Sequence, residues 1–116
     1  MTPGFFILAG GLTGAAGVAL SALAAHAGGG NVGTAASFLQ AHAPALLAIG
    51  LLGRGRLLFA GGAILFAGIL FFCGDLLMRH YAGARLFPMA APGGGAAMIV
   101  GWLVIAASAL AGRGRE

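Results

Sequence analysis

No aspartate, glutamate, lysine or arginine occurs between Met1 and Gly53, and further charge-free runs extend from Leu57 to Gly74 and from Leu86 to Gly112. A bilayer's hydrocarbon core, about 30 Å thick, takes about 20 apolar residues to cross as a helix. The first run is long enough for two crossings and each of the others for one. Charged residues make up 7% of the chain and hydrophobic residues 60%, whereas soluble domains carry about 25% charged residues. A β-barrel would show segments of about ten residues alternating apolar and polar, and none is present. The expected fold is an all-α integral membrane protein, a single four-helix transmembrane domain with both termini cytoplasmic.

The spans are expected at Gly4 to Ala25, Ala35 to Leu52, Leu57 to Met78 and Gly93 to Leu110. Ala24-Ala25-His26-Ala27 resembles a signal-peptide cleavage site, but no positive segment precedes the apolar run, so this stretch is read as the first span. Gly28-Gly29-Gly30-Asn31-Val32-Gly33 reads as a loop, with Asn31 or Thr34 capping the next helix. Pro44 lies inside the second span, where it frees the carbonyl of Gln40 and predicts a kink. Leu86-Phe87-Pro88-Met89 is an apolar stretch of the longest loop and is expected at the membrane interface. Arg54, Arg56, Arg113 and Arg115 fall on the side of the termini, and Arg79 and Arg85 on the other. That excess puts the termini in the cytoplasm by the positive-inside rule. The arginines form no basic stripe, which excludes a nucleic-acid partner despite the net charge of +4.

Small residues recur at four-residue spacing, at Gly10 and Gly14, at Gly17, Ser21 and Ala25, and at Gly93, Ala97 and Gly101. Such stripes let helix backbones approach closely, either within the chain or against a partner helix. Phe59 and Phe66 share a face of the third span, which suits a lipid face or a packing seam. Trp102, in the middle of the fourth span, is expected to pack on a neighbour and to seek an acceptor for its indole N–H.

Six polar residues are expected in one leaflet, on the side away from the termini. They are His26 at the end of span one, Gln40 and His42 in the first turns of span two, and Asp75, Arg79 and His80 at the end of span three. Asp75 and Arg79 are one turn apart with the acid first, the favourable order for an ion pair. The alternative is a carboxylate that binds a proton, ion or headgroup, alone or with the histidines. The histidines come from different hairpin arms, with no HxxxH pair and no second thiol, so no metal site is assigned. Cys73, the single cysteine, reads as a buried small hydrophobe. No nucleophile–base arrangement, phosphate loop or CxxC pair occurs, so no catalytic residue, cofactor or enzymatic activity is expected.

The ordered set Gly14-Ala15-Ala16-Gly17 to Ala25-His26, Phe38-Leu39-Gln40-Ala41-His42-Ala43, Gly68-Ile69-Leu70-Phe71 to Gly74, Pro92-Gly93-Gly94 and Gly101-Trp102-Leu103 resembles the domain-of-unknown-function family 423. The resemblance implies four helices in a bacterial or mitochondrial inner membrane, and no activity. The chain departs from the family pattern at Asp75, where a small or hydroxyl residue is expected, and at Pro44, where an alanine or leucine-like residue is expected. Three function classes follow. The first is a non-enzymatic protein that works by helix–helix association, as an accessory or structural subunit of a larger membrane complex. The second is an oligomeric carrier or channel for a proton, metal ion or small ligand, using the polar residues. The third is a haem- or quinone-binding membrane protein. The expected partners are the lipid bilayer and other transmembrane helices, and the expected location is the bacterial inner membrane.

Overall fold

A computed structural model describes residues 2–112 of the chain. Arg113 and Arg115, which enter the charge count above, lie outside the described residues. Four helices run in order: α1 Pro3–Ala27, α2 Gly30–Leu52, α3 Arg56–Ala82 and α4 Ala90–Gly112. All four are long and apolar enough to cross a membrane. None is amphipathic in the manner of a soluble helix, because lipid accepts apolar side chains on the outer faces as readily as the core does on the inner ones. The protein is therefore a multi-pass membrane protein with the expected all-α four-helix architecture.

The ends follow from local chemistry. α1 starts at Thr2-Pro3, where the Thr2 hydroxyl accepts from the Phe5 N–H at 3.4 Å and proline occupies the first turn. α2 ends at Gly53, which adopts the left-handed conformation and returns its N–H to the Ile49 carbonyl at 3.1 Å. One difference from the sequence reading bears on the site. α2 starts at Gly30, five residues before Ala35, with Gly29 at its cap and no side-chain cap from Asn31 or Thr34. As expected, α2 carries Pro44 inside it and ends at Leu52.

Each hairpin is zipped by glycines. A Cβ built on Gly10 would stand 2.9 Å from the Leu47 nitrogen, and one on Gly17 3.1 Å from the Gln40 nitrogen, so α1 lies backbone-close on α2. In the second hairpin a Cβ on Gly68 would stand 2.7 Å from the Gly94 carbonyl, and one on Gly101 2.8 Å from the Leu65 nitrogen. Where no side chain intervenes, dispersion between backbones holds the pair. The two hairpins meet along α2 and α3. Phe6, Leu46, Leu65 and Ile69 fill the centre. Phe59 and Phe66 of α3 lie in a packing seam, since Phe59 stacks on Phe6 (5.4 Å between centroids) and Phe66 takes Phe5 edge-on (5.7 Å). α2 is the most buried helix and α4 the least.

Candidate functional site

The six polar residues of the sequence reading do not form one hydrogen-bonded cluster. Among the described residues, no hydrogen bond or ion pair joins two of them except Asp75 and Arg79. Nor do three His, Cys, Asp or Glu side chains come together as a metal-holding group there. The early start of α2 explains part of this. Gln40 and His42 stand ten and twelve positions beyond Gly30, about 15 and 18 Å along the helix. They therefore lie near the helix midpoint rather than in its first turns.

Asp75 closes the far end of the second hairpin. Its side chain is fully buried, and Oδ1 accepts the Leu86 N–H at 2.7 Å, which ties the α3–α4 loop to α3. Oδ2 lies 2.8 Å from Nη2 of Arg79, whose side chain is one-third exposed. Neither Oδ2 nor Arg79 Nε makes an aligned hydrogen bond, so the pair is a charge contact more than a hydrogen-bonded fork. The loop carries Leu86 and Phe87 to the surface, with Phe87 edge-on to Phe71 at 5.5 Å. His80 is exposed and lies against the backbone of Gly29, so a Cβ there would come within 2.7 Å of its ring. His26 is exposed on the last turn of α1.

His42 is buried between helices. Its Nδ1 lies 2.7 Å from the Phe38 carbonyl, and its Nε2 lies 3.1 Å from the Trp102 indole nitrogen. A carbonyl only accepts and an indole N–H only donates, so the geometry selects the tautomer with the proton on Nδ1. Trp102 thus finds its acceptor on α2. This pairing was not legible in the sequence, where His42 was set near the membrane surface.

Gln40 points the other way, toward α1. Its amide nitrogen donates to the Gly17 carbonyl at 3.2 Å and to the Ser21 hydroxyl at 3.0 Å. Gly17 and Ser21 of the expected stripe therefore meet α2 of the same chain. Gly101 likewise faces Leu65. Gly93 faces open space and its neighbour Gly94 makes the close contact, with a Cβ there 2.6 Å from the Phe72 nitrogen. Ala97 is half-buried.

Beside Gln40 an apolar groove of about 430 Å³ runs between α1 and α2, lined by Gly11, Gly14 and Ala15 on one side and Pro44 and Leu47 on the other. A Cβ on Gly11 would touch nothing, and one on Gly14 only the Ala43 methyl at 3.5 Å. The small residues of α1 thus serve two faces: Gly10 and Gly17 pack on α2, while Gly11 and Gly14 leave an open channel outside the contact.

Residues 13–95 match the family model described as "Protein of unknown function (DUF423)". No curated protein and no solved structure is detectably similar to the chain. The matched segment holds the groove's Gly14, Ala15, Gln40 and Pro44 and all six polar residues, and it stops short of Gly101 and Trp102.

Proposed function

The chain belongs to the DUF423 family, and from that premise and the geometry above we propose that it is a non-enzymatic membrane protein that works by helix–helix association, as an accessory subunit of a larger membrane complex. The observation that carries this reading is the groove between α1 and α2. A hydrocarbon environment supplies no hydrophobic force between helices, so shape and polar contacts select a partner. A channel floored by glycine and alanine at helix mid-depth accepts the ridge of another helix. The polar side chains support the same reading, because Gln40, His42, Asp75 and Arg79 are engaged in separate contacts within the chain. That favours association over an ion carrier or a haem- or quinone-binding protein.

The same reading assigns the protein to a bacterial inner membrane, with the Arg54–Arg56 turn on the cytoplasmic side.

The test is native electrophoresis after mild solubilisation from the membrane. The wild-type chain is expected in a band larger than its own monomer. A Cβ at Gly11, in the groove wall, meets nothing within 4 Å, so Gly11→Leu is expected to occupy the groove and to run as a monomer while still inserting. A wild-type chain that runs as a monomer sinks the reading.

A further inference from the structure

Gln40 is exposed at mid-depth on the rim of the groove. The Gly17 carbonyl can only accept, which fixes the amide with its nitrogen toward α1. The two amide hydrogens then have two acceptors within the chain, the Gly17 carbonyl and the Ser21 hydroxyl. The amide oxygen has no partner among the described residues. Four positions on, Pro44 has no N–H, so the main-chain carbonyl of Gln40 lacks the donor that a helix would normally give it. One residue thus offers two oxygen acceptors beside the groove, and the groove brings no donor to meet them. Acyl chains carry no donor either, and an unpaired polar group in hydrocarbon is costly.

We propose that the groove receives a transmembrane helix of another protein, which presents a side-chain hydrogen-bond donor to Gln40. This deepens the association reading and rests on it. A hydroxyl, amide or indole N–H on the partner supplies what the site lacks, and a bare aliphatic ridge does not. A second copy of this chain is the poorer occupant. A twofold pairing through the same groove brings only groove-lining residues of the other copy to Gln40, and among these the Gln40 amide is the one side-chain donor, already engaged with Gly17 and Ser21 of its own chain.

Three variants of the full chain, each extracted mildly from its own membrane, separate the possibilities. The readout is the fraction that migrates with the partner, alongside helical content by circular dichroism. Gln40→Leu removes the side-chain acceptor, and with it two contacts within the hairpin. Pro44→Ala removes the other acceptor by restoring the main-chain bond to the Gln40 carbonyl, and it strengthens the helix, so weaker association there cannot be ascribed to unfolding. Each is expected to weaken association about three- to tenfold, the range of hydrogen bonds between helices in membranes. Gly11→Leu is expected to abolish it. Loss with Gly11→Leu alone, both acceptor variants binding as wild type, overturns the donor assignment and leaves association standing. Binding unchanged in all three overturns both. A band that contains only copies of this chain also overturns the assignment.

Discussion

The indole N–H of Trp102 in α4 donates to Nε2 of His42 in α2 at 3.1 Å, near the midpoint of both helices. α4 is the least buried helix and packs chiefly on α3, so this bond is its specific tie to the other hairpin. The imidazole has both nitrogens engaged, one by Phe38 within its own helix and one across the bundle.

Trp102→Phe keeps an aromatic ring and removes the donor. It is expected to cost about 1 kcal/mol, the scale of a hydrogen bond between membrane helices, read by denaturant titration in detergent micelles. Trp102 is the only tryptophan, so its fluorescence reports directly on the same contact. His42→Leu is expected to change the emission of Trp102, and identical spectra would show that the indole does not sense His42.

Asp75 predicts a graded series. Asp75→Asn keeps an oxygen for the Leu86 N–H but leaves Arg79 without its counter-charge, and a loss of about 1–2 kcal/mol is expected. Asp75→Leu removes both roles and is expected to cost about 3–5 kcal/mol, the scale for breaking a buried pair, and to loosen the α3–α4 loop. Limited proteolysis between Gly83 and Met89 checks the second effect. Equal stability of the two variants would assign the whole contribution to charge.

Adjacent glycines of α4 are expected to differ sharply. Gly94→Leu drives a side chain into the backbone of Phe72 and Gly68, whereas Gly93→Leu points into open space. The first is expected to prevent the second hairpin from closing, at a cost at or above the top of the overpacking scale of about 1–3 kcal/mol for well-packed cores, because the atoms it meets are backbone. The second is expected to be silent within about 0.5 kcal/mol. Cross-linking of paired cysteines across α3 and α4 distinguishes them, and similar yields for both would contradict the assigned phase of the helix.

The four crossings were legible because charge-free length alone sets them. The start of α2 was not, since Gly28 to Gly33 read as one loop; Gly28 and Gly29 do break the chain, both at positive φ, but α2 runs through Gly30 and Gly33, as the demand for main-chain hydrogen bonds in a membrane favours. That shift of five residues moved Gln40 and His42 from the surface to the middle of the bundle. Glycine phase was equally hidden in α4. Three glycines in a row, Gly93 to Gly95, allow any register, and the four-residue rule selected Gly93 where the contact uses Gly94. A seven-residue spacing was the better signal, shared by Gly10 and Gly17, Gly61 and Gly68, and Gly94 and Gly101, all of which approach a neighbouring helix within 3.2 Å of a built Cβ. The ion pair of Asp75 and Arg79 followed from spacing on one helix. The hold of Asp75 on Leu86 did not, because it depends on how the loop folds back.

The most direct measurement of the central claim is native mass spectrometry of the wild-type protein released from its own membrane in a mild detergent. Association through the α1–α2 groove predicts a mass that contains this chain and at least one different membrane protein, with Gly11→Leu absent from that assembly. A mass equal to one copy of the chain with lipid alone would contradict it.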